Sequence, residues 1–158
     1  MKYFRIIGRY LDAIPYSLLA LVLRFVVGRP FFLSGQTKIE GPTFGGEYFG
    51  YDMTFQIPTS LRDSTLTLFE NDYKLPFLSP ESAALLTAGL EFILPVMLML
   101  GLAARFSALG LLVMTLVIQF FVYPDAWWTV HVYWVTILSV LIARGPGKVS
   151  FDHLLFRN

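Results

Sequence analysis

At 158 residues the chain holds one domain's worth of material, yet 56% of it is hydrophobic and only 15% is charged, with a mean hydropathy of +0.62. A water-soluble domain of this size does not have that composition. Twelve basic and 11 acidic residues give a formal net charge of +1, too little basic surface to neutralise a run of phosphates, so no nucleic-acid partner is expected. The absence of cysteine excludes disulfide staples, thiolate metal sites, iron–sulfur ligation and any thiol relay carried by this chain.

In chain order, Lys2, Arg5 and Arg9 precede a first apolar run over residues 14–33. Arg24 and Arg29 interrupt this run and no small-x-small cleavage site follows it, so it reads as a retained membrane anchor and not a signal peptide. Residues 34–80 form a long polar loop. Gly41, Pro42, Gly45, Gly46 and Gly50 predict irregular chain there, and residues 59–73 suit a short amphipathic helix with Leu61, Leu68 and Phe69 on one face. The alternation Thr65-Leu66-Thr67-Leu68 fits a brief strand equally well. Pro76 and Pro80 close the loop, and Ser79 or Ser82 is placed to cap a second run over 81–101. Third and fourth runs cover 106–123 and 126–143. Each of the four is near the ~20 residues that a helix needs to cross a ~30 Å hydrocarbon core. Trp127, Trp128, Trp134, Tyr123 and Tyr133 supply rings of the headgroup-boundary type around the last of them. Gly145-Pro146-Gly147 ends it, and Ser150 is placed to cap a final turn whose Phe151, Leu154 and Leu155 face the bilayer.

The predicted fold is therefore all-α: one membrane domain over residues 1–158, a four-transmembrane-helix bundle with a long outer loop carrying a short helix between helices 1 and 2. Lys2, Arg5, Arg9, Arg105, Arg144, Lys148 and Arg157 fall on one side. The other side holds Lys38, Arg62 and Lys74 among the acids from Glu40 to Glu81. Both termini then read as cytoplasmic. His131 and His153 fall on different sides, so no metal site is expected.

Ionisable side chains within the spans are costly, at ~2.5–3.5 kcal/mol or more each, and call for a partner or a wet cavity. Arg24, Arg29, Glu91 and His131 are the candidates, with Gln119 as a neutral companion. They lie in the middle and outer half of the membrane on all four helices, so a bundle can gather them around one outward-opening pocket. Arg24, Gly28, Phe32 and Gly35 recur at steps of four, four and three along one stripe, and Ala84, Ala88, Glu91 and Pro95 form a comparable stripe. Pro30 and Pro95 each free a carbonyl beside a charged residue. Arg24 with Glu91 reads either as an ion pair that fixes helix register or as a site that binds or protonates something. His131 reads as an interior histidine bonded to Gln119 or Glu91, or as a proton carrier. Trp127, Trp134 and Phe32 read as interfacial belt or as the lining of a flat-ring pocket.

The stripe from Arg24 through Gly28, Phe32 and Gly35 to Lys38, the mid-span Glu91 and the run Leu100-Gly101-Leu102-Ala103-Ala104-Arg105 together resemble the DoxX family of small four-helix membrane proteins. The segments around Leu68–Tyr73, Tyr123–Trp127 and Gly145–Asp152 are similar to a bacterial subgroup encoded beside small metal-responsive secreted peptides. The resemblance implies the bacterial inner membrane and, from relatives described as membrane subunits of a thiosulfate:quinone oxidoreductase or of an oxidative-stress complex, an accessory role in a redox or stress-response system. Without cysteines, sulfur chemistry would reside in a protein partner. A quinone would suit an aromatic slot with Arg24, Arg29 or His131 as donors and Glu91 as proton acceptor. The alternatives are a membrane scaffold or export aid for a small secreted peptide, and a small proton-coupled transporter, for which the prolines in spans one and two are mild support. Membrane lipid is the one expected partner common to all three readings. The small-residue stripes serve packing within the bundle or between copies in a homo-oligomer.

Overall fold

The computed structural model describes residues 13–73 and 76–156. Lys2, Arg5, Arg9, Lys74 and Arg157, which entered the charge count above, lie outside them. Among the described residues four helices are long and apolar enough to cross a membrane. They are α1 (Tyr16–Lys38), α3 (Pro80–Leu100), α4 (Ala104–Phe121) and the continuous helical stretch Pro124–Arg144. The last begins as a 3₁₀ turn (Pro124–Ala126), passes through a π-helical turn (Trp127–His131) and ends as α5 (Val132–Arg144). A short α2 (Asp63–Asn71) lies between α1 and α3, and α6 (Phe151–Leu155) follows α5.

The bundle packs α1 on α3, α3 on α4 and α4 on α5. Its core is made of Ala20, Val27, Phe31, Leu98, Ala104, Ala108, Leu111, Leu138 and Leu141. Many other large apolar side chains, such as Leu18, Val22, Phe25, Leu85, Ile93, Val113 and Phe120, point outward, as expected of helices solvated by lipid on their outer faces. Local sequence sets the ends. Ser79 accepts the Ser82 N–H at 3.3 Å with Pro80 in the first helical position, and Gly101 closes α3 in the left-handed region at φ 72°. Ser150 caps α6 through the His153 N–H at 3.2 Å.

Two sequence expectations change. The first span runs on past residue 33 to Lys38, because the polar tail Ser34-Gly35-Gln36-Thr37-Lys38 is helical and turned largely inward. And residues 39–61 are not irregular chain: they form one antiparallel ribbon of nested pairs, β1 (Ile39–Glu40) with β6 (Ser60–Leu61), β2 (Thr43–Phe44) with β5 (Phe55–Gln56), and β3 (Glu47–Tyr48) with β4 (Tyr51–Asp52). Phe49 and Gly50, both with positive φ (54° and 77°), make its two-residue turn. Glu40 faces Ser60 whereas Thr43 faces Gln56, so the returning strand carries one extra residue around Pro58, a bulge that bends the ribbon. Thr65–Leu68, which fitted strand or helix equally, are helical within α2.

Candidate functional site

Lys38, the last residue of α1, is 8% exposed and Glu91, midway along α3, is 2% exposed. The lysine Nζ donates to Glu91 Oε2 at 2.6 Å, to Ser34 Oγ at 2.8 Å and to the Ser34 carbonyl at 3.3 Å. The pair is brought together by Gly35: a Cβ there would stand 3.0 Å from the carbonyl carbon and oxygen of Glu91, a contact that α1 and α3 could accept only by moving apart a few tenths of an ångström. Above the pair sits α2, whose Phe69 is buried against Ala83 and Ala84 and whose Thr65 hydroxyl donates to the Lys38 carbonyl at 3.0 Å.

These elements line a partly open cavity of about 100 Å³. Ser34, Lys38 and Glu91 form its polar floor; Phe69, Tyr73 and Tyr123 form its roof. The two tyrosine hydroxyls are 2.6 Å apart, which ties the loop after α2 to the chain after α4. Burial, and then the hydrogen bond with Tyr123, hold the Tyr73 phenol well above its ordinary pKa. Thr87, Val117 and Ile118 form a wall shared with a second, apolar cavity of about 320 Å³ between α3 and α4, lined also by Phe77, Leu86, Leu90 and Phe121.

Arg24 does not meet Glu91. It is fully buried on the far side of the bundle from the ribbon, and its guanidinium donates to three backbone carbonyls: Ala20 at 3.4 Å, Met99 at 3.2 Å, and Val149. The Met99 carbonyl is one of the four that the end of α3 leaves without an intrahelical donor, and a cation is favoured at that helix end. The single pocket expected to gather Arg24, Arg29, Glu91, Gln119 and His131 is thus corrected to separate sites. Arg29 is exposed on the outer face of α1. His131 and Gln119 form a third site, with Nδ1 of the histidine 2.6 Å from Gln119 Oε1, while Gln119 Nε2 donates to the Pro124 carbonyl at 2.6 Å. Because the amide oxygen only accepts, Nδ1 carries the proton. His131 rests against Trp134, which packs on Phe31.

The other aromatic candidates stand apart from the cavity. Phe32 packs on Phe92 with ring centroids 5.9 Å apart, and Trp127 is half-buried in the π-helical turn. The packing stripe is as spaced: Gly28 faces Met99 and the Pro95 carbonyl, and Ala84, Ala88 and Pro95 are buried. Lys38, Ser34, Tyr73 and Tyr123 were not among the sequence candidates. The available signal was the continuation of the stripe, since Lys38 follows Gly35 by three positions and Ser34 by four.

Four membrane-competent helices around buried, separately satisfied charges define a small multi-pass helical membrane protein. The chain belongs to the DoxX family, whose profile, described as DoxX, matches residues 19–124. It is similar to an uncharacterized protein of Haemophilus influenzae, 30% identical over 143 residues that cover 85% of this chain and 82% of the relative. No solved structure matches.

Proposed function

We propose that the cavity over Lys38 and Glu91 binds a quinone-type ligand and that the chain serves a redox or stress-response partner as its membrane subunit, in a bacterial inner membrane with both termini cytoplasmic. The observation that carries this reading is the adjacency of two cavities: a mainly apolar one with a charged floor of buried ammonium and carboxylate, and a second, almost wholly apolar one along α3 and α4, with Thr87, Val117 and Ile118 lining both. A quinone has the matching halves. Its carbonyls take hydrogen bonds from Lys38 and from the Tyr73 or Tyr123 hydroxyl, the Lys38–Glu91 pair can relay protons to the ring as it takes up the partner's electrons, and an isoprenoid tail suits the apolar groove. Arg24, Arg29 and His131 have no part in this reading. Electrons come from the partner, because the chain has no cysteine.

The test is titration of detergent-purified protein with a short-chain ubiquinone analogue, together with solvent extraction and quantification of copurified quinone. One equivalent per chain is expected. Glu91→Gln and Lys38→Met should each weaken binding at least about tenfold, roughly 1.4 kcal/mol, while Arg29→Gln keeps the affinity of the parent protein. Absence of saturable binding, or binding unchanged by Glu91→Gln, overturns the proposal.

A further inference from the structure

The ribbon over residues 39–61 has two unlike faces. Successive strand residues point to opposite sides and directly paired residues to the same side, so the registers Phe44 with Phe55 and Tyr48 with Tyr51 place Phe44, Tyr48, Tyr51, Met53 and Phe55 together. All are exposed, from 39% for Phe55 to 74% for Tyr51, and Phe49 at the tip is 100% exposed. The rings of Phe44 and Phe55 stack with centroids 6.1 Å apart. Thr43, Glu47, Asp52, Thr54 and Gln56 occupy the opposite face. A contiguous aromatic strip of this kind is rarely left in water.

The geometry of the ribbon's root sets its level and its tilt. Gly35 packs on the Glu91 backbone, and Glu91 lies eleven positions from the start of α3 at Pro80. Lys38 is one turn further along, so α1 ends about 12 Å short of the loop-side end of α3 at 1.5 Å per residue. The ribbon therefore starts below the rim of the bundle. It is also held sideways: the Gln36 side chain accepts from the Gln56 N–H at 2.6 Å and donates to the Gln56 carbonyl at 3.2 Å. A ribbon continuing straight off the helix would carry Gln56 about 18 Å from the level of Gln36, at helix and strand rises, far beyond the reach of that side chain.

We propose that the ribbon is an interfacial anchor: its aromatic face inserts at the headgroup–acyl boundary of the leaflet on the loop side, continuous with the lipid-facing surface of the bundle, while the polar face meets water. Phenylalanine and tyrosine are suited to that depth. Residues 39–61 contain Glu40, Glu47 and Asp52 but no lysine or arginine, so the surface that fits is zwitterionic lipid and not a polyanionic one.

The cysteine-free chain allows single spin labels in the full-length protein, reconstituted in phosphatidylcholine nanodiscs. Labels at Tyr51→Cys and Met53→Cys should relax with dissolved oxygen and be shielded from a water-soluble nickel chelate, and a label at Glu47→Cys should show the reverse. Adding phosphatidylglycerol should not deepen the first two. Nickel access equal at all three positions overturns the proposal. So does protection of Tyr51→Cys and Met53→Cys from both reagents, which would mean that a protein surface, a second copy included, covers the face. Immersion that appears only with anionic lipid overturns it as well.

Discussion

Two charges 2.6 Å apart, one 8% and the other 2% exposed, each forgo hydration that their attraction alone does not restore. What makes the Lys38–Glu91 pair tolerable is the extra bonding from Ser34 and a cavity able to admit a polar guest. Removing one partner leaves the other uncompensated. Glu91→Gln and Lys38→Met are each expected to cost about 3–5 kcal/mol in a dry setting and less where water fills the cavity. Lys38→Met combined with Glu91→Met should cost less than the sum of the two single changes to methionine, because no charge is then stranded. Chemical unfolding of the detergent-solubilised variants in a double-mutant cycle measures this. Strictly additive losses would mean that the two residues do not act as a unit.

At the scale of the element, α2 and Tyr73 form a cover whose closure to the α4 end rests on the Tyr73–Tyr123 hydroxyl contact. The folded-state pKa of Tyr73 is raised, by burial first and by Tyr123 second, so its contribution to stability is fully present below the ordinary phenol value of about 10 and is lost as pH rises through the higher folded value. The cover is thus expected to stay shut across the physiological range and open only in strong alkali. Tyrosinate absorbance titration of the parent protein against Tyr73→Phe checks this, with one late-titrating phenol missing in the variant. That such a cover exists was partly legible: Leu68 and Phe69 fall within α2, although the helix starts at Asp63 and Leu61 of the expected face lies in β6. The spans were legible because lipid leaves apolar side chains on both faces, which produces long uniform runs. Lys38 continues the stripe of Arg24 and Gly35, but hydropathy falls at Ser34, so a span defined by hydropathy stops at residue 33 and leaves the lysine in the loop. The ribbon escaped because its alternation is broken by glycines, Pro42 and Pro58, and its pairing is between residues up to 22 positions apart. Depth in the membrane places Arg24 and Glu91 together but says nothing of the free carbonyls at a helix end, which hold the buried guanidinium through hydrogen bonds with no carboxylate among its bonding partners.

Across the whole molecule, the stretch from Gly145 to Asp152 joins helices that the sequence sets far apart. The Tyr16 hydroxyl donates to the Gly145 carbonyl at 2.8 Å, the Lys148 N–H donates to Ser17 Oγ at 2.9 Å, and Arg24 holds the Val149 carbonyl. Asp152 then accepts the N–H groups of Ala103 and Ala104 at 2.7 and 2.9 Å, an anion at the start of α4 where the helix dipole favours one. Three of these four links involve backbone atoms of the segment, and only Asp152 contributes through its side chain. Side-chain changes should therefore separate cleanly. Lys148→Ala is expected to fall within about 0.5 kcal/mol of the parent, whereas Asp152→Ala, which strips two helix N–H groups of their acceptor, should cost about 1–2 kcal/mol. Ending the chain at Arg144 should cost more than Asp152→Ala, because it also takes the Val149 carbonyl from a fully buried arginine. Thermal unfolding of the three variants in one detergent tests the ranking. A truncated protein as stable as Asp152→Ala would mean that Arg24 is satisfied by Ala20 and Met99 alone, and that the segment holds the bundle through Asp152 only.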